Sequence, residues 1–376
     1  HTTTNDWVHV VEVIDTTQAT DTNRIKLYID GALITSFAYA TYPAQNADLG
    51  ITSSGVVNRI GATSAGAYPI DMYLAEFHYL DGIAAAVGDF GQTIDGVYLP
   101  KEYTGSYGGH GYYLDFSDSS DLGADQSGNS NDFTSSGLTS TDQLLDSPTK
   151  NYATFDPNNS DACTLSEGNL KTNAPAYWSS VASTQTVSGS GKYYVETLVG
   201  NRYGTYAAGG FVPDSVSTAN MAAAVYYGAA DSAYTPNDGF GVEFNGGNVG
   251  YYAASGTTDF GPITEPDDTT IYSTNELYIL YALDLDNEFF WVGTAFTSDN
   301  TVTWFGPAGS GADPTDGGTT GLDISGYITA QSDPDLLFVH APNNGHGDPY
   351  CTVNFGQSTY KFTPPTDYIG IYDEKV

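Results

Sequence analysis

"DWVHVVEVIDTTQATDTNRIKLYIDG", residues 6–31, carries the most regular patterning in the chain and sets the reading of its fold. Strand side chains repeat every two residues, so Ile25, Leu27 and Ile29 fall on one face and Arg24, Lys26 and Tyr28 on the other. Upstream, Trp7, His9, Val11 and Val13 share one face, with Val8, Val10 and Ile14 opposite. Both faces of that first strand are apolar, which predicts a strand covered on both sides. Asp30-Gly31 supplies the positive φ values of a tight hairpin turn, and Leu33 to Phe37 can return as a third strand. The Thr-, Asp- and Asn-rich link between the first two strands reads as a surface loop. His9, beside a tryptophan on an apolar strand, reads as a packed histidine with one ring nitrogen satisfied rather than as a ligand or general base.

The same rhythm runs outward from this stretch. "RIGATSAG" (59–66) reads as a short strand entering a glycine turn, and "DMYLAEFHYLDG" (71–82) alternates into another Asp-Gly turn. "AAAVGDFGQ" (84–92) has room for a single helical turn, and "GYYLDFSD" (111–118) for a further strand. Residues 121–150 are polar and poor in aromatics, the composition of an ordered connector. Their Asp/Asn cluster lacks the DxDxDG spacing and distal Glu of an EF-hand, so it reads as turn formers. Strand patterning restarts at "YATFD" and "GKYYVETLV" (191–199). It continues through "GFGVEFNGGNVGYY", "LYILYALDLDNEFFWVG", "DLLFVHA" and "YCTVNFGQSTYKFTPPTDY". "MAAAVYYGAA" (221–230) is the best helical candidate, and it is short. The expectation is an all-β protein of two sandwich, jelly-roll-like domains in tandem with very little helix.

Composition agrees. A chain of 376 residues has room for two domains with cores of their own, and 40% hydrophobic content with 30 Tyr belongs to a folded chain. Acidic residues outnumber basic ones 45 to 10, for a net charge of −35. Such a field repels phosphate backbones and anionic membranes, which argues against nucleic acid as a partner. No apolar run is long enough to insert into a bilayer. The abundant Asp fits turn chemistry, adaptation to salty water or a structural calcium. The two cysteines, Cys163 and Cys351, make neither a disulfide scaffold nor a zinc site. The chain opens at His1 without a Met or a signal segment, the expectation for a processed or trimmed chain.

Three constellations carry residue types suited to chemistry. Asp284, Asp286 and Glu288 in "LDLDNE" would share a face on one unbroken strand, as a glycosidase pair requires. "HAPNNGHGDP" offers His340, His346 and Asp348 as metal ligands, although its Pro, Asn and Gly mark a loop. There is no GxSxG or HExxH motif, so no catalytic or metal residue is assigned and no cofactor is expected. Tyr103, Tyr107, Tyr203 and Tyr206, in loop-like surroundings, could form a stacking platform for a glycan, or could simply suit half-buried strands.

The opening stretch, followed by "NRIGA" and "DMYLAEFHYLDG", resembles the laminin-G or concanavalin-like jelly-roll family. More narrowly, it resembles the version carried by fibre and appendage proteins of marine bacteriophages, as does "LDFSD…D.SGN.NDFT" from Leu114 to Thr134. The second half resembles the SPRY family through "GKYYVE" (191–196), "DGFGVEFNGG" (238–247), "YALDLDNEFFWVG" (281–293) and "VNFGQSTYKFTPPTDY" (353–368). The resemblance implies a laminin-G-like domain over 1–116, a connector over 117–150 and a SPRY-like domain over 151–376. Strands that normally precede the W-x-H strand are missing, which makes 1–116 the back half of a sandwich with apolar surface to cover. In the SPRY pattern Asp286-Asn287 sits at a hairpin, which would separate the three carboxylates. First and last strands of that family run close, which would bring Cys163 and Cys351 within disulfide reach; two buried free thiols are the alternative. The function implied is a non-enzymatic structural and adhesive protein of a virion, a tail or capsid fibre component at the virion surface. It would assemble with copies of itself or other virion proteins and recognise a host-surface glycan. An appendage-bound polysaccharide depolymerase and a cellular extracellular adhesin or filament subunit are the alternatives.

Overall fold

The structure, a computed structural model, describes residues 7–374 apart from 52–55, 64, 68–69, 71, 95, 174–178, 201–205, 222–238, 246–247, 254–255, 263–276, 297–300, 333 and 344–349. The chain is all-β, and it divides into two compact units, one within residues 7–151 and the other within 152–373. Residues 117–150 lie in the first of these units.

In the first unit, β1 (Val10–Ile14), β2 (Ile25–Ile29) and β3 (Ala32–Leu33) form an antiparallel sheet. The turn between β2 and β3 places Asp30 at φ 48° and Gly31 at φ 75°, the two left-handed residues that a tight hairpin needs. Smaller ladders follow: β4 (Phe77–Tyr79) pairs with β7 (Tyr112–Leu114), and β5 (Gly91–Ile94) with β6 (Val97–Pro100). A 3₁₀ turn at Val87–Asp89 fills the single-turn position, with the Asp89 carboxylate accepting from Ala86 N–H at 2.9 Å.

Several expectations need correction here. The third strand stops at Leu33, "RIGATSAG" forms no strand among its described residues, and only Phe77–Tyr79 of 71–82 is a strand. Nor is the first strand covered on both sides, since no described residue from 7 to 90 is buried. Alternation reports which faces are apolar, and is silent on whether anything lies over them.

In the second unit two sheets face one another. The first runs, in order, through Thr164–Ser166, Lys171–Asn173, Tyr350–Asn354, Lys192–Gly200, Leu277–Asp284, Phe289–Phe296 and Val302–Gly306. The second contains Gly256–Pro262, Asn248–Ala253, Phe240–Asn245, Tyr206–Pro213, Leu336–Asn343, Ser180–Val187 and Phe155–Asp161. "KYYVETLV" alternates as written. Val195 and Val199 enter the shared core, while Tyr194 joins a separate cluster with Leu280, Ala282 and Trp291. The core is aromatic. Tyr281 meets Phe338 at 5.0 Å and Phe290 meets Phe240 at 5.1 Å, both edge to face across the two sheets.

The segment after "VNFGQ" covers the outer face of the first sheet. Buried Glu196 accepts Lys361 N–H and Phe362 N–H, each at 2.8 Å, and the Tyr194 hydroxyl at 2.9 Å. Burial drives its carboxyl above the usual range, against those hydrogen bonds. Tyr360 and Tyr368 hydroxyls donate to Tyr194 O and Pro314 O, at 3.1 Å each, and complete the strap. Of the helical candidate 221–230 only Met221 lies among the described residues, where Thr218–Met221 is helical; Ser325–Ala330 is also a helix. No helix among the described residues is long and apolar enough to cross a membrane.

Candidate functional site

β4 and β7 set up the most chemically dense part of the first unit. Their register puts His78 beside Tyr113, and the two rings stack at 4.3 Å, 9° from parallel. Tyr107 lies parallel to His78 at 6.0 Å, with its hydroxyl 2.9 Å from His78 Nδ1. Glu76, held at φ 51°, brings a carboxylate oxygen to 3.2 Å from His78 Nε2. Tyr103 meets Tyr107 edge-on at 5.3 Å and stacks on Phe90 at 4.8 Å. Burial pushes the Tyr107 phenol up to about 12, with neighbouring Tyr103 and acids adding to it. These phenols therefore stay protonated across the physiological range. Tyr103 and Tyr107 do come together as the platform reading required, but as half-buried rings packed on one another. Tyr203 lies outside the described residues, and of Tyr206 only the backbone is described.

The "D.SGN.ND" run fixes this cluster from behind. Asp125 accepts four hydrogen bonds: from the N–H groups of Tyr113, Ser127 and Asn131 and from the Ser127 hydroxyl, all at 2.8–2.9 Å. Asn129 and Asn131 donate side-chain N–H to Gly111 O, at 2.9 Å each. The carboxylates are thus backbone caps, and their hydrogen bonds hold the Asp125 carboxyl below the usual range despite the opposing effect of burial. Among the described residues no group of three or more His, Cys, Asp or Glu is placed to hold a metal ion.

The same loop opens a cleft of about 360 Å³ on its flanks. One wall is the turn Ser119–Leu122, and the other is formed by Asp132–Ser135 and Leu138–Ser140. Phe133 N–H donates to Gly123 O at 2.8 Å and ties the walls together. Any larger residue at Gly123 would collide, since a Cβ there would lie 1.8 Å from Phe133 O. Phe133 packs edge-on against Tyr112 at 4.8 Å, and Leu138 is 55% exposed. Leu122 adds a third apolar side chain; the remaining lining is hydroxyls of Ser and Thr with the carboxylates of Asp121 and Asp132, and no Lys, Arg or His. The polar composition of 121–150 conceals this site in the sequence. Its signal is Leu122, Phe133 and Leu138, apolar residues isolated among polar neighbours.

Compared with known proteins, the chain matches no protein-family model and no curated protein. Among solved structures it is similar to lectin I-B4 from Griffonia simplicifolia in its metal-free form, at 13% identity and TM-score 0.33, over 54% of this chain and 91% of that one. The SPRY domain of human HERC1 is similar at 13% identity and TM-score 0.31, over 55% of this chain and 99% of that one. A Bauhinia forficata lectin in complex with GalNAc is similar at 8% identity and TM-score 0.34, over 54% of this chain and 92% of that one. Likeness at this level carries neither a ligand nor a role to this chain.

The other sequence candidates fall in the second unit. The strands Leu277–Asp284 and Phe289–Phe296 pair directly, so 285–288 is the hairpin turn and the three carboxylates of "LDLDNE" do not share a face. Asp284 is fully buried. It bonds Lys192 Nζ at 2.9 Å and Asn287 Nδ2 at 2.8 Å, and these bonds overcome burial to hold its carboxyl low. Asp286 accepts Gly191 N–H at 2.8 Å, and Glu288 sits at φ 60°. His340 lies inside the sandwich, where burial pushes its ring down to about 3, so it is neutral; His346 and Asp348 lie outside the described residues. His9 is a packed histidine beside Tyr98 at 5.3 Å, its pKa lowered by burial, with a hydrogen bond to the Phe90 backbone. Cys351 pairs in register with Thr172, which pairs with Leu165, so Cys163, just before the strand Thr164–Ser166, lies two residues from the position level with Cys351. Both are free thiols. Burial pushes Cys163 up to about 12 and Cys351 higher still, which leaves them protonated and unreactive at neutral pH.

Proposed function

We propose that this protein is a non-enzymatic adhesive component of a virion appendage, a tail or capsid fibre, working outside the cell and assembled with copies of itself or other virion proteins. Its N-terminal unit recognises a host-surface glycan. The observation that carries the recognition is the Ser119–Ser140 cleft, which combines apolar wall atoms with many hydroxyl and carboxylate groups. A sugar presents the complement, with C–H faces flanked by hydroxyls that donate and accept. The appendage role is supported by the sequence resemblance over Leu114–Thr134 and Val353–Tyr368. The lack of catalysis is supported by the separate hydrogen bonds of Asp284 and Asp286 and by the hairpin turn that sets Glu288 apart from them.

The test is a glycan array probed with the full chain. The reading expects binding to a subset of glycans, lost in Leu138→Asp, which removes an exposed apolar wall residue without disturbing the melting temperature. An array on which the wild-type chain binds nothing ends the glycan reading. Release of reducing ends from a bound polysaccharide would assign a depolymerase instead.

A further inference from the structure

We infer that two copies of this chain meet through the segment Leu33–Ile51 of the first unit, in a two-fold contact anchored by Phe37 and Tyr39. The inference gives a surface to the self-assembly proposed above and rests on that part of the reading alone; it uses no residue of the Ser119–Ser140 cleft. Its basis is exposure, charge and anchoring. Tyr39 is 96% exposed, and Leu33, Phe37, Leu49 and Ile51 are 39–47% exposed. From Gly31 to Ile51 the sequence carries a single charged side chain, Asp48, in a chain that is 15% charged. That carboxylate is turned back to accept Gly50 N–H at 2.9 Å. Few charges and exposed aromatic rings are the composition of an interface core.

The segment is held at both ends. Ile34 N–H donates to Leu27 O at 2.9 Å where the chain leaves the sheet, and Asn46 N–H donates to Thr16 O at 2.8 Å where it returns. Arg24 directs its guanidinium at backbone, donating to Pro43 O at 2.8 Å, Gln18 O at 2.8 Å and Ala19 O at 2.9 Å. Residues 35–42 are thus an arch pinned on either side, and Phe37 and Tyr39 are carried on it. Rings presented in this way lose less freedom on docking than rings on a free loop.

Area and charge decide the occupant. At about 150–250 Å² for a large aromatic side chain and somewhat less for an aliphatic one, these five expose about 500 Å² of largely apolar surface. One partner of a standard interface covers about 800 Å², of which ~450 Å² is apolar, so the segment matches one side of such a contact. A basic partner would find one engaged carboxylate here and many more elsewhere on the chain, and an anionic membrane is repelled by the net charge of −35. Two copies repel one another for the same reason, except where charge is absent, and this segment is such a place. An isologous contact lets the patch cover its own counterpart and closes after two copies.

The test is sedimentation velocity of the full chain from about 1 to 200 μM, with hydrogen exchange at both ends of that range. Wild type should pass from monomer to a plateau at twice the monomer mass, with a Kd of about 1–50 μM, and gain protection at 33–51 in the dimer. The double substitution Phe37→Asp with Tyr39→Asp, at exposed positions that leave the melting temperature unchanged, should raise the Kd more than about 100-fold. Leu145→Asp, at a residue 63% exposed outside the segment, should leave the Kd unchanged. Raising salt from about 0.05 to 0.5 M should tighten the dimer about 3- to 10-fold, by screening repulsion between the acidic copies.

A chain that stays monomeric overturns the inference and the self-assembly reading with it. A dimer that survives the double substitution, or is lost in Leu145→Asp, overturns the inference alone, because the copies would then meet elsewhere. Loosening by salt would mean that ion pairs hold the contact and overturns it too, as does growth past two copies without a plateau. Protection of 33–51 by phosphatidylcholine vesicles, in a chain that stays monomeric, would give the face to a lipid surface instead.

Discussion

In the unit built from residues 152–373, side chains of two facing sheets close over one another, and Phe155, Phe211, Phe290, Phe338 and Phe355 are all buried. Among the described residues of the unit built from 7–151, Leu99 and Leu114 are the only large apolar side chains so covered, whereas every exposed large hydrophobic of the described chain except Ile369 belongs here. Both halves use alternating strands and Asp-rich turns. What separates them is a second sheet, since a strand face gains free energy from its alternation only when something apolar lies over it. The first unit leans on local bonds instead. Asp15, Asp115, Asp118, Asp121 and Asp125 each accept the backbone N–H two residues on. Such bonds shape loops that can present a binding surface, and they add little to cooperative stability.

The largest expected effect is in the aromatic core. Phe338→Ala should destabilise the second unit by about 3–5 kcal/mol, through lost burial and the cavity left behind. Phe37→Ala, at a residue 46% exposed, should change stability by less than about 0.5 kcal/mol. Urea unfolding of each variant checks both; similar costs at the two sites would erase the contrast.

Two carboxylates sharpen it next. Glu196→Ala strands the Lys361 and Phe362 N–H groups in the interior, and should cost about 2–4 kcal/mol with faster amide exchange at 360–368. Asp125→Ala should cost about 1–3 kcal/mol and loosen only residues 111–131, because every bond it makes lies in the first unit. A shift in the second unit's unfolding midpoint on Asp125→Ala would count against separate stabilities.

Acid provides the most specific effect. His340 is held near 3 in the fold and titrates near 6.5 when unfolded, so below pH 6.5 the unfolded chain takes up the proton first. Stability contributed by the neutral ring is therefore complete above 6.5 and falls by about 1.4 kcal/mol per pH unit towards 3. Glu196, with its carboxyl raised, acts in the opposite sense, being more favourable in acid and less so as pH rises through its folded value. The difference between wild type and His340→Leu isolates the histidine. It should change by about 2–3 kcal/mol between pH 6.5 and 4.5, and a flat difference would mean that His340 is protonated in the fold.

These contrasts also mark how far the sequence could be read. The strands at 25–29 and 192–200 are legible from period-two alternation, that at 277–284 as an apolar Tyr- and Leu-rich run, and the hairpin at 285–288 from the resemblance around Asp286-Asn287. The Asp30-Gly31 turn was legible because left-handed φ favours those residues. Coverage was not legible. Nothing in "DWVHVVEVI" records that its apolar faces stay half exposed, because coverage depends on other elements rather than on the strand itself. The Asp125 clasp and the cleft beside it were also hidden. A carboxylate that caps a turn, one that binds calcium and one that faces a ligand are written with the same letter, and only the donors around it tell them apart.

Native-state hydrogen exchange on the full chain, read across a series of low urea concentrations, tests the contrast most directly. Amides of Lys192–Gly200 and Leu277–Asp284 should exchange only through global opening of the second unit, with free energies that fall steeply with urea. Amides of β1 and β2 should exchange through openings several kcal/mol less costly and nearly independent of urea, as expected where little surface is newly exposed. If β1 and β2 share the opening free energy and urea dependence of the central strands of the second unit, the two halves are one cooperative body. The division between a self-sufficient sandwich and a loop-held recognition unit is then wrong.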